Sequence, residues 1–100
     1  MDPDLSSLSI ADVAMATAGR EKGKLFYVIG TEDAYLLLAD GKGRTIDKPK
    51  RKKRSHARKV LRSETRIAER LRAGDKVLDS ELRRDLAYLS REMQSKPLGG

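Results

Sequence analysis

Thr17-Ala18-Gly19-Arg20-Glu21-Lys22-Gly23-Lys24-Leu25-Phe26-Tyr27-Val28-Ile29 is the stretch on which the fold turns. Ala18 to Gly23 is a turn cluster. Leu25 to Ile29 is rich in β-branched and aromatic side chains and is closed by Gly30, which marks a strand. Neighbouring side chains on a strand point to opposite faces. Of Phe26 and Tyr27, one is therefore expected in the core and only the other within reach of a ligand.

On the N-terminal side, Leu8 to Thr17 holds Leu8, Ile10, Val13 and Met15 with a slip of phase at Asp12, and predicts a first strand from about Ile10 to Thr17. On the C-terminal side, Thr31 to Asp33 form a short turn. Tyr35-Leu36-Leu37-Leu38-Ala39 is a third strand that runs into Asp40-Gly41, a dipeptide suited to a tight hairpin. Arg44-Thr45-Ile46 then reads as a short returning fourth strand. Asp33, Asp40 and Asp47 read as turn formers. Strands this short, separated by glycine turns, imply a small antiparallel barrel or sandwich.

Beyond Lys59 the period changes. Ile67, Ala68 and Leu71 recur at helical spacing, with Ser63 available as a cap and Gly74 as a stop. Val60 and Leu61 fit either a fifth strand or a helix beginning near Ala57. In the helical case Arg58, Arg62, Arg66 and Arg70 would stack in one stripe. Leu78, Leu82, Leu86 and Leu89 fall on one helical face after an Asp79 or Ser80 cap. The organisation expected is residues 1–62 as a β unit, 63–95 as a helical extension and 96–100 as a disordered tail.

The chain has 100 residues, enough for one core, with 38% apolar and 37% charged residues and no tryptophan. Its net charge of +7 calls for an anionic partner. Residues 48–59 hold eight of the 22 Lys and Arg and no acid, which leaves 14 cations against 15 carboxylates elsewhere. The entire excess lies in that run. Pro49 bars a regular helix at its start, so an extended loop following a phosphate backbone is expected.

Catalysis is not expected. His56 sits among cations with nothing to orient it as a base, and no cysteine, phosphate-binding loop or metal-binding helix motif is present. No cofactor, metal or small-molecule substrate is implied. The first ten residues lack a signal-peptide pattern, and no segment has the length of a membrane span, so a soluble, cytoplasmic protein without a membrane partner is expected. Phe26, Tyr27 and Tyr35 could serve as a base-stacking platform, but core packing is the favoured role.

Residues 17–29 resemble the KOW motif, a strand, loop and strand with a glycine in the loop, here Gly23. The continuation through Tyr35 to Asp40-Gly41, Arg44 and Lys48-Pro49-Lys50 is similar to the small bacterial KOW-domain RNA-binding proteins. Those in turn resemble a KOW family of the large ribosomal subunit of archaea and eukaryotes. The likeness spans roughly residues 8–59 and departs at Ala11, where the family often has glycine. It implies a mainly β fold, a small five-stranded SH3-like antiparallel barrel followed by two short C-terminal helices, whose KOW loop approaches RNA or a protein. Carried onto this chain, it makes Arg20, Lys22 and Lys24 candidate phosphate contacts, with Gly19 and Gly23 allowing close backbone approach.

The basic run adds Lys48, Lys50, Arg51, Lys52, Lys53, Arg54, His56, Arg58 and Lys59, and the turn before it adds Lys42 and Arg44. The leading expectation is a non-catalytic RNA-binding protein, ribosomal or ribosome-associated, that contacts ribosomal RNA and possible ribosomal-protein neighbours. The alternative is a protein-interaction module of a transcription or translation factor. A nuclear import signal at residues 49–54 ranks low, and duplex DNA stays open as a ligand.

Overall fold

The computed structural model describes residues 8–95; the expected tail at 96–100 lies outside them. Five strands, β1 (Asp12–Ala16), β2 (Leu25–Glu32), β3 (Tyr35–Ala39), β4 (Lys50–Lys53) and β5 (Ala57–Arg62), form one antiparallel sheet in the order β4-β3-β2-β1-β5. Two helices follow, α1 (Arg66–Ala73) and α2 (Asp79–Ser95). β4 and β5 stand at opposite ends of the sheet, yet only a 3-10 turn, Arg54–His56, joins them. Register shifts between Val28 and Gly30 and between Val13 and Ala14 bend the strands.

The sheet is covered on both faces, which answers the expectation for Phe26 and Tyr27. Both rings are fully buried. Phe26 packs with Leu8, Ala14, Val28, Leu36 and Leu38, while Tyr27 packs on the other side with Val13, Ala39, Ala68, Leu82 and Leu86. The helices supply the second cover, so neither ring is left to reach a ligand.

β3 begins and ends where its leucine run predicts, and β2 extends three residues past Ile29. Two expectations about the strands are corrected. Arg44-Thr45-Ile46 is not a strand. Its backbone donors go to side chains instead, Arg44 N–H to the Asp40 carboxylate (2.9 Å) and Ile46 N–H to the Asp79 carboxylate (2.8 Å). The basic run is not a loop: Lys50 to Lys53 pair with Leu38 to Tyr35, and Ala57 to Arg62 pair with β1. Residues 57–62 take the strand alternative, so the stripe of Arg58, Arg62, Arg66 and Arg70 that the helical alternative implied does not form.

α1 is capped by Thr65 rather than Ser63, its hydroxyl accepting the Ala68 N–H, and stops at Gly74 (φ 77°) as expected. α2 is 17 residues long rather than short, and Leu78 is 52% exposed, outside the stripe formed by Leu82, Leu86 and Leu89. Asp79 does not cap it, being held by Ile46. Glu81 closes the helix start by accepting the Leu78 N–H at 2.9 Å.

Gly41 (φ 78°) lets the 40–44 turn press against α2. Its carbonyl accepts from Arg83 at 2.8 Å, and a Cβ there would lie 2.1 Å from the Asp79 carbonyl oxygen. The sheet and both helices also meet in a hydrogen-bonded knot. The Tyr27 hydroxyl donates to Asp85 (2.7 Å) and lies 2.9 Å from the Ser63 hydroxyl, and Thr65 donates to Asp85 as well (2.8 Å).

Candidate nucleic-acid interface

Strand pairing and one backbone bond set the 3-10 turn and the start of β5 beside the β1–β2 loop. Ala16 pairs with Ala57 and Met15 with Arg58, and the Thr17 N–H donates to the His56 carbonyl at 2.9 Å. This seats the 3-10 turn beside the loop. On its other flank, Arg44 of the 40–44 turn binds Glu21 at 3.0 Å. The loop itself is drawn tight by backbone bonds from Gly23 N–H to the Ala16 carbonyl (2.8 Å) and from Lys22 N–H to the Gly19 carbonyl (3.2 Å), with Gly19 and Gly23 at φ of 84° and 90°. The two basic regions whose relative placement the sequence leaves open are therefore neighbours.

The cations of this region divide into two groups. The first is committed internally. Lys52 pairs opposite the buried Leu36, is only 9% exposed, and its ammonium donates to the Ala18 carbonyl at 2.9 Å. Its stem is packing material and its charge is a tether between β4 and the loop. Lys59 lies 3.7 Å from the fully buried Asp12, whose same oxygen accepts the Ser9 N–H at 2.9 Å. Arg51 pairs with Glu32 at 2.9 Å and stacks over the Tyr35 ring, 3.8 Å from its centroid. Arg54 donates to the carbonyls of Asp33 (2.7 Å) and Leu8 (3.0 Å).

The second group stands free of ion pairs among the described residues. It comprises Arg20, Lys22 and Lys24 on the loop, Lys53 and Arg58 beside the 3-10 turn, and Lys42, Lys48 and Lys50 on the approach to β4. All are exposed except the half-buried Lys50. His56 is exposed, its backbone carbonyl engaged by Thr17. Tyr35 is half-buried, with one ring face covered by Arg51.

Sequence counting misses the distinction between the groups. A single signal for it was present: Asp12, a lone charge in an apolar strand, implies a buried carboxylate that needs a cation partner. Among the described residues, no group of His, Asp and Glu has a metal-binding arrangement, and no helix is long and apolar enough to cross a membrane. No protein-family model matches the chain, and a search of curated proteins finds no relative.

Proposed function

We propose that this chain is a non-catalytic RNA-binding protein of the ribosomal or ribosome-associated kind, with ribosomal RNA as its partner. One observation carries the reading: the bond from Thr17 to His56 sets the 3-10 turn, flanked by Lys53 and Arg58, beside the β1–β2 loop that carries Arg20 and Lys22, and none of these four has an ion pair among the described residues. Like charges held together by backbone geometry repel each other, and a polyanion relieves that repulsion with release of its counterions.

Two features support the KOW likeness and an SH3-like barrel as its frame. The three-residue 3-10 turn joins strands at opposite ends of the sheet, and Lys52 reaches from β4 to the carbonyl following β1. Ala11, at the position where the family often has glycine, has φ 72°, a left-handed conformation natural to glycine. Shape and phosphate contact would select the RNA, with little base readout.

The test is the affinity of the full chain for ribosomal RNA and duplex DNA over a range of salt. The variants are Lys53→Ala with Arg58→Ala, and Arg20→Ala with Lys22→Ala. Lys52 and Lys59 are unsuitable, because their loss disturbs the fold. Each phosphate contact removed is expected to flatten the log–log salt slope by about 0.7–0.9. Binding that ignores both double variants would eliminate the reading and direct attention to a protein partner.

A further inference from the structure

α2 turns its uncommitted side chains to one side. Leu82, Leu86 and Leu89 face the core, and Asp85 faces Tyr27 and Thr65. At about 100° per residue, Arg83, Ala87 and Ser90 come next around the helix, followed by Arg84, Tyr88 and Arg91 on the solvent side. Tyr88 is 59% exposed, the only tyrosine or phenylalanine among the described residues that is more than half open. Arg84 and Arg91 flank it at the preceding and following turns.

The carboxylates of the helix do little to neutralise this face. Asp79 accepts from Ile46 and Asp85 from Tyr27 and Thr65. Glu81, whose field Arg84 shares, is already bound by Arg70 and the Leu78 N–H. Glu92 lies further round, beyond Tyr88, and is engaged.

An open cleft of about 520 Å³ adjoins the face, walled by Arg83, Ala87 and Ser90 of α2 and by the β1–β2 loop and the 40–43 turn. That volume lies within the roughly 300–1,000 Å³ of small-ligand pockets. Its two acids are spent, Glu21 on Arg44 and Asp40 on the N–H groups of Lys42 and Arg44. Lys24 and Lys42 line it without ion pairs among the described residues. Nothing lies within 4 Å of where a Cβ would project from Gly23 or Gly43, which leaves the backbone open to a ligand.

We propose that the cleft and the outer face of α2 together hold an unpaired segment of RNA, with a phosphate between Lys24 and Lys42 and a base stacked on Tyr88 between Arg84 and Arg91. A duplex offers phosphates but no free base face, so the ring selects unpaired nucleotides. This rests on the RNA-binding reading and adds a second contact surface with its own preference.

The experiment compares a short single-stranded RNA of mixed sequence with a blunt RNA duplex of the same composition. Each is titrated against the full chain and against Tyr88→Ala, Tyr88→Phe, Arg84→Ala with Arg91→Ala, and the Lys53→Ala with Arg58→Ala control. Tyr88→Ala is expected to lower single-strand affinity by about 5- to 150-fold, the span of one base–aromatic stack, with duplex affinity unchanged. Tyr88→Phe restores it, and the arginine pair weakens both ligands. If Tyr88→Ala binds single strands like the parent, or loses both ligands equally, the proposal is overturned, while a loss in the Lys53 and Arg58 control leaves the RNA reading standing. If the parent chain binds neither RNA, both readings fall.

Discussion

A methyl group on residue 41 would sit 2.1 Å from the Asp79 carbonyl oxygen and 3.0 Å from the Arg83 amide nitrogen, both backbone atoms that yield only if α2 moves. With φ at 78°, Gly41→Ala adds left-handed strain to that clash. The expected loss is about 3 kcal/mol or more, read by urea or thermal unfolding. Gly23→Ala, at φ 90° with nothing within 4 Å, pays only the conformational cost of about 1 kcal/mol. Equal losses at the two positions would mean that the clasp on α2 is not what requires glycine at 41. The same contrast between local and distant partners governs the candidate site. The run of Lys and Arg is visible in the sequence, but the commitment of Lys52 to Ala18 and of Lys59 to Asp12 is not. Both partners lie more than 30 positions away, and side-chain type is silent about what waits there.

Among the elements, β2, β3 and the Gly74 stop of α1 were legible because each carries a local cause: β-branched and aromatic content, a leucine run, a residue free to turn left-handed. Residues 44–46 were not, since their donors are satisfied by Asp40 and by Asp79, the latter supplied by a helix not yet made when the strand is read. β4 was illegible for the opposite reason, its Lys-Arg-Lys-Lys having no apolar alternation to announce a strand. The start of α2 illustrates a third case, in which an acid serves both its own helix and its neighbour. The Leu78 N–H first, and Arg70 of α1 second, hold the Glu81 carboxyl below its ordinary value of 4.5. A depressed carboxylate stabilises the fold above its unfolded value and loses that effect as pH falls through the folded one. Glu81→Gln is therefore expected to remove one component of the acid-side fall in melting temperature below about pH 4.5 and to leave the neutral-to-alkaline profile unchanged in shape.

For the molecule as a whole, the knot of Tyr27, Ser63, Thr65 and Asp85 decides whether sheet and helices melt together. Burial foremost, with Asp85 adding to it and Ser63 and Thr65 opposing, pushes the Tyr27 phenol above its ordinary 10.0. Above pH 10.0 the unfolded chain gives up that proton before the folded one does, so stability falls as pH rises toward the folded value. Tyr27→Phe should flatten this alkaline limb and, by removing a donor to a carboxylate, cost roughly 1.5–3 kcal/mol at neutral pH. Circular dichroism of the parent should show one transition, and separate melting of helices in the parent would contradict a shared knot. β4 has a consequence at the same scale. One side of it pairs with β3, and the other leaves a row of backbone donors and acceptors on which a strand from a second molecule would naturally form. A second β4 laid antiparallel against it would bring the exposed cations of the two strands together, while Lys52 points inward and takes no part. Lys50 and Lys53 thus also keep copies of the sheet from joining edge to edge, so that, on the proposed reading, solubility at high concentration and phosphate contact draw on the same side chains.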